Sequence, residues 1–315
     1  MLQNHFSKSC SSEMNHQERR LKVCCIINKH AGTAKAESPD LKALFAQFGV
    51  SAEFPDLAKG KTIAELAAEA SKDRYDVVVA GGGDGTVNAV ASALAGTSAR
   101  MGVIPMGTLN HFAKDLKIPL SAEEAVRTIV TGRVAAVDVG EVNGEVFVNN
   151  SSLGLYPAVV RLREAIQKSG YRKWTAFFQA AWKIFSRFPR LRLEIKSSAA
   201  PSSRPITPLL FIGNNHYETT LTQLGSRKVL NNGRLWVAMP MAKSRWELVL
   251  ALLALARGRA GVSDVSSFEA ENLIVNNKRT ALNVAVDGEV LLLQTPLHYR
   301  IRPKALKVII PADTI

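Results

Sequence analysis

The chain has 315 residues, 47% of them hydrophobic and 21% charged. That balance excludes a disordered, collagenous or coiled-coil protein, and at about 150 residues per domain the length suits two domains. Forty Lys and Arg against 27 Asp and Glu leave a net charge of +13, which calls for a polyanionic partner: phosphates, nucleic acid or an anionic membrane surface.

Three cysteines (Cys10, Cys24, Cys25) are too few for a disulfide framework, so a reducing, cytoplasmic compartment is expected. Residues 1–19 are polar and read as a flexible tail without the apolar core of a signal peptide. The longest uncharged apolar run, Leu248 to Ala256, falls short of the roughly 20 residues that cross a bilayer.

From residue 20 to 138, short apolar runs alternate with helix-period segments, the pattern of βαβ units around a mostly parallel sheet. Leu21 to Asn28 reads as the first strand. Ser38-Pro39-Asp40 opens a helix with Leu41, Leu44, Phe45 and Phe48 on one face, and Gly49 stops it. Ser51 to Leu57 reads as a short strand, Thr62 to Ala70 as a helix and Tyr75 to Ala80 as a buried strand. Beyond a glycine cluster come a helix over Asn88 to Leu94, a strand over Arg100 to Ile104 and a helix over Ala122 to Val130, ending near Gly132.

Past Val139 the texture becomes antiparallel: Glu141 to Val148 turns on Asn143-Gly144, a hairpin signal. Leu191 to Lys196, Arg234 to Ala238 and Leu282 to Val286 alternate likewise, the last before Asp287-Gly288. A β-rich second domain over 139–303 is therefore expected.

Two turns carry the chemistry. Gly81-Gly82-Gly83-Asp84-Gly85-Thr86-Val87-Asn88 lies between a strand and a helix, where glycines let backbone amides approach an anion and the helix start favours negative charge. Its spacing matches neither G-x-G-x-x-G nor the G-x-x-x-x-G-K-[ST] loop, and a tight βα turn of no catalytic use is the plain alternative. Pro105-Met106-Gly107-Thr108-Leu109-Asn110 again follows a strand, and in a parallel sheet such loops gather in one crevice. Asp287-Gly288-Glu289 puts two carboxylates at a turn, where Asp-Gly is also simply good hairpin chemistry.

These motifs resemble the diacylglycerol kinase catalytic family, which includes bacterial soluble lipid kinases and, more distantly, sphingosine and ceramide kinases. Its G-G-D-G-T stands here as Gly82-Gly83-Asp84-Gly85-Thr86, its P-x-G-T-x-N as Pro105 to Asn110 and its late D-G-E as Asp287-Gly288-Glu289. The resemblance runs from about Leu21 to Pro311. It implies a Rossmann-like α/β N-terminal domain, akin to NAD kinases and phosphofructokinases, a β-sandwich C-terminal domain and an active site in the cleft between them. The family's final segment commonly returns to the first domain, which here is 304–315.

By that resemblance the reaction is ATP-dependent phosphorylation of a lipid hydroxyl, diacylglycerol being the leading acceptor. Gly82, Gly83, Gly85, Thr86 and Asn88 are expected at the nucleotide phosphates, with Gly107, Thr108 and Asn110 completing the site. Asp84 is expected to hold Mg²⁺, and Glu289 to be the general base, with Asp287 the next choice. The family's N-P-x-S-G appears only as Asn28 to Gly32, so Asn28 and Gly32 are the residues carried over to ATP. Its Glu after G-G-D-G-T-x-x is replaced by Ala89, and the acid of its D-G-x-L, used for a structural magnesium, by Asn232.

Between Pro157 and Arg192 nine Lys and Arg stand against one acid, Glu164. Trp174, Phe177, Phe178, Ala181, Trp182, Phe185 and Phe188 recur there at helical spacing. A basic amphipathic helix with aromatics opposite is a membrane-surface pattern; the same spacing equally describes a core stripe. The run Trp246 to Ala256 is apolar nearly all round and reads as a buried helix. The partners expected are a lipid substrate, a peripheral membrane surface and a second copy in a homodimer, with no nucleic acid, since no aromatic-basic nucleic-acid module accompanies the charge. Rival readings are a kinase of a soluble substrate and an inactive nucleotide-binding scaffold.

Overall fold

The computed structural model describes residues 21–28, 40–57, 60–72, 75–155, 190–199, 201–218, 226–240, 247 and 265–314. The expected tail, Gly32, nearly all of the basic aromatic segment and, but for Glu247, the run Trp246 to Ala256 lie outside the described residues.

The first half alternates as its pattern requires: β1 (Lys22–Ile27), α1 (Leu41–Gln47), β2 (Ser51–Glu53), α2 (Ile63–Ala70), β3 (Val77–Gly82), α3 (Asp84–Leu94), β4 (Arg100–Pro105), α4 (His111–Asp115) and α5 (Ala122–Thr131). Three helix starts are specified locally, since Asp40, Thr62 and Ser121 each accept a backbone amide three residues on. Strands β2, β1, β3 and β4 lie side by side and parallel. Ala67, Val87, Val90, Ala91, Leu94 and Phe112 pack one face of this sheet, and Phe45, Ala125, Val126 and Ile129 the other.

The structure differs from the pattern in three places. Helix α3 begins at Asp84, four residues before the expected Asn88, because Gly83 is already its N-cap and half of the glycine motif is helical. The five-residue α4 follows the second turn, where no element was expected. The alternating stretch Leu191 to Lys196 is divided into β8 (Leu191–Arg192) and β9 (Glu194–Ser197), which pair with different partners.

The second half is antiparallel. It contributes β5 (Arg133–Val142), β6 (Glu145–Phe147), β7 (Asn150–Gly154), β10 (Ile206–Thr207), β11 (Leu209–Asn214), β12 (Leu235–Pro240), β13 (Val265–Ala270), β14 (Asn272–Asn276), β15 (Ala281–Val286), β16 (Glu289–Gln294) and β17 (Leu297–Ile310). Both turns expected of hairpins adopt positive φ at their two central residues, Asn143-Gly144 and Asp287-Gly288, the backbone that suits a two-residue hairpin. One sheet runs β13-β12-β11-β7-β15-β16. Its inner residues Leu153, Leu210, Ile212, Val237 and Val284 form one core with Phe147, Val275 and Tyr299 of the larger sheet, and Phe147 meets Tyr299 edge to face at 6.4 Å.

The larger, nine-stranded sheet is mixed. Strand β17 pairs antiparallel with β5 along most of its length, antiparallel with β14 through Leu297 to Arg300, and parallel with β4 at Lys307 and Val308. The expected domain boundary, residue 138, thus falls in the middle of β5. There the β5–β17 register shifts between Arg302 and Leu306, with Lys304 at φ 52°.

Asp138 is fully buried at that irregularity. Its Oδ1 accepts the Lys304 amide and its Oδ2 the Gly233 amide, both at 2.7 Å. Asp138→Ala should leave the part-buried amides of Gly233 and Lys304 without this acceptor and cost about 2 kcal/mol, measured by urea unfolding; a loss below about 0.5 kcal/mol would show that the carboxylate is dispensable.

Candidate active site

The first turn is built for close backbone approach. Gly82 ends β3, and a Cβ on it would lie 2.5 Å from Thr86 Oγ1. Gly83 caps α3 with no side-chain hydrogen bond, and the first intrahelical bond runs from Val87 N to the Gly83 carbonyl. The amides of Asp84, Gly85 and Thr86 therefore head an uncapped helix start, a site for anions. Gly85 is exposed, with nothing within 4 Å of an added Cβ. Asn28, at the end of β1, donates from Nδ2 to Thr86 Oγ1 at 3.3 Å.

The second turn lies against the first. A Cβ on Gly107 would come within 2.5 Å of the Gly83 Cα, so the two backbones touch because residue 107 is glycine, whereas a Cβ on Gly83 would sit 3.4 Å from the Gly107 Cα. Met106 N donates to the Gly82 carbonyl at 2.8 Å. Asn110, in the left-handed region at φ 51°, closes its own turn: Oδ1 accepts from Gly107 N and Nδ2 donates to Gly107 O. Asp84 then bridges the two turns, its Oδ1 accepting from His111 N at 2.9 Å. Thr108 is exposed at the turn.

The contacts thus gather Asn28, Gly82, Gly83, Asp84, Thr86, Gly107 and Asn110 in one place. Asn88 sits one helical turn further on, its Oδ1 buried without a partner; an acceptor there suits a donor group better than a phosphate oxygen. Free amides, a glycine cradle and one carboxylate fit a nucleotide phosphate chain. Among the described residues no three His, Cys, Asp or Glu side chains cluster to hold a metal. Asp84 is the carboxylate at these turns that could hold a divalent cation. Asn232 has an exposed side chain, and its backbone amide donates to Asn215 Oδ1 at 2.8 Å.

The third motif joins through a polar network absent from the sequence reading. Asp287 accepts three consecutive amides: Val148 at 2.7 Å on Oδ2, and Asn149 and Asn150 at 2.9 Å on Oδ1. Both oxygens are thereby committed, which makes Asp287 the anchor of the turn and leaves Glu289, exposed at the head of β16, as the carboxylate free to meet an acceptor. Buried Arg227 lies on the other side of the same segment, bound to Val148 O, Asn149 Oδ1 and Asp115 of α4. Neither Arg227 nor Asp115 carries a local sequence signal; each is identified by its partners.

Residues 22–142 match the model of the diacylglycerol kinase catalytic domain family. Probable YegS-like lipid kinases of Yersinia pestis (strain Pestoides F) and Yersinia pseudotuberculosis serotype O:1b (strain IP 31758) are each 43% identical over 90 residues, 27% of this chain and 30% of theirs. The chain therefore spans under a third of the length of these curated relatives. Across 94% of the chain the fold is that of a diacylglycerol kinase crystal structure from Bacillus anthracis str. Sterne, at TM-score 0.65 and 17% identity, with 99% of that chain covered. A putative diacylglycerol kinase from the same organism aligns at TM-score 0.69 and 19% identity over 93% of this chain and 98% of its own.

Burial raises the Asp287 carboxyl from 3.8 to about 6, against the pull of the Val148, Asn150 and Asn149 amides and of Arg227. The folded chain then holds this proton more tightly than the unfolded one. The associated stability is full below the unfolded pKa and is lost as pH rises through 6. Between pH 4 and 6.5 the wild type should lose on the order of 3 kcal/mol that Asp287→Asn does not lose; parallel stability curves for the two proteins would contradict the buried titration.

Proposed function

We propose that this chain is an ATP-dependent lipid kinase that transfers the γ-phosphoryl group to a lipid hydroxyl, with diacylglycerol as the acceptor. The observation that carries the reading is the backbone contact of Gly83 with Gly107 beside the uncapped start of α3. Phosphoryl transfer needs positioning and charge neutralisation more than covalent chemistry, and this arrangement presents amides where phosphates bind. The family of residues 22–142 and the names of the curated relatives support a kinase with a lipid acceptor.

The amides of Asp84, Gly85 and Thr86 at the start of α3 hold the phosphates beside Gly82 and Gly83, Thr108 and Asn110 close the site from the second turn, and Asn28 orders Thr86. Asp84 is the residue to hold Mg²⁺, whose contribution is neutralisation of phosphate charge. Glu289 takes the proton of the lipid hydroxyl as its oxygen bonds to the γ-phosphorus and the bond from that phosphorus to the β-phosphate oxygen breaks, releasing ADP. The basic aromatic segment Pro157 to Arg192 supports a peripheral membrane encounter, because the phosphate turns themselves contain no Lys or Arg.

Incubation with labelled ATP, Mg²⁺ and a panel of diacylglycerol, sphingoid base, polyprenol and NAD tests the reading. Label should pass to diacylglycerol; transfer to NAD alone would replace the acceptor class. Asp84→Ala should abolish transfer with the fold intact. Glu289→Gln should slow the chemical step by about 10²- to 10⁴-fold with nucleotide binding unchanged, whereas a lowered melting temperature with normal turnover would leave Glu289 a hairpin residue. In sedimentation with vesicles, binding should rise with anionic lipid content, and indifference to lipid charge would assign the basic segment to packing.

A further inference from the structure

Arg227 is 3% exposed and its guanidinium is wholly enclosed. It makes four hydrogen bonds: Nε donates to Asp115 Oδ2 at 2.8 Å, Nη2 to Asn149 Oδ1 at 2.8 Å, and Nη1 to Val148 O at 2.6 Å and Asn214 O at 3.1 Å; Nη2 also lies 2.7 Å from Asp115 Oδ2 in an ion pair. The Tyr217 ring lies under its face, 5.2 Å away. These partners come from α4, from the residues leading into β7 and from β11.

The network has a direction. At one end of α4, His111 N is held by Asp84; at the other, Asp115 is held by Arg227. Arg227 grips Val148 and Asn149 by their oxygens, and Asp287 grips the same two residues by their amides. Asp287 then turns the chain so that Glu289 pairs with Val286. The two carboxylates given chemical roles, Asp84 and Glu289, thus stand at opposite ends of one hydrogen-bonded path through Arg227.

We propose that Arg227 is a positioning residue, coupling α4 to the Asp287-Gly288 turn and thereby setting Glu289 relative to Asp84. Its catalytic meaning rests on the kinase reading above; the coupling itself does not. A buried ion pair is weak evidence for stability, since apolar residues of like volume often serve as well. A planar fork of five fixed donors instead specifies orientation.

Arg227→Lys keeps the charge and loses the fork. Its turnover of the lipid acceptor should fall on the order of 100-fold, with KM for ATP unchanged. Asp115→Asn, which cuts the path on the α4 side, should produce the same split, and the double variant should lose little more than either single one.

Hydrogen exchange gives a readout independent of activity: the amides of Val148, Asn149 and Asn150 should lose protection in Arg227→Lys and in Asp115→Asn. Asn149→Ser, which removes one acceptor, should show the same loss if the stronger variants do not fold. Unchanged protection at 148–150 in the folded variants, or a fall in melting temperature with wild-type turnover, overturns the coupling. Lost protection in a protein whose wild type transfers no phosphate to lipid would leave the coupling standing and refute the kinase reading.

Discussion

Removing a guanidinium from water costs several kcal/mol unless each N–H finds an acceptor inside. At Arg227 the acceptors come from Asp115, Val148, Asn149 and Asn214, so three stretches of chain have to arrive in register before that cost is offset. Asp138 imposes the complementary condition, a buried carboxylate that needs the amides of Gly233 and Lys304. Both groups lie where the helix-covered sheet gives way to the paired sheets. Apolar packing on either side is non-directional and would tolerate sliding; the polar groups between do not. Arg227 ties α4 to the segment that the Asp287 turn holds, and Asp138 ties the middle of β5 to Gly233 and Lys304.

Much of this could be read locally. The βα alternation, the caps at Asp40 and Thr62 and the Asn143-Gly144 and Asp287-Gly288 turns all follow from residues within a few positions of each other, and the structure has each of them. The glycine motif was legible for the same reason, though its second half is helix, because a cap at Gly83 leaves no residue-level mark distinguishing loop from first turn. What escaped is long-range. Arg227 lies 112 residues from Asp115, and Asp138 lies 95 and 166 from Gly233 and Lys304. No periodicity or spacing encodes such pairs. The break between β8 and β9 is hidden similarly, since Leu191 to Lys196 alternates without interruption while its two halves answer to different strands.

The proposed phosphate site carries little side-chain charge. Between Gly81 and Asn88 the one ionisable group is Asp84, and its Oδ1 is already engaged by His111 N. Any attraction for phosphate there would come from amide dipoles at the head of α3, which are fixed in the backbone as a lysine side chain is not. The chain's excess of +13 is therefore not explained by the nucleotide turns.

Strand β17 has a consequence for synthesis. It occupies the middle of the nine-stranded sheet, between β4 and β14, while its partners β4 and β5 precede it in the chain by about 190 and 155 residues. Until residue 310 has emerged from the ribosome, β4 has an open edge and β5 lacks its main partner. The growing chain must wait through that interval with unpaired apolar strands, the condition under which chains most readily pair with the wrong neighbour. The sheet of the first half thus gains its last neighbour only when the final strand is in place.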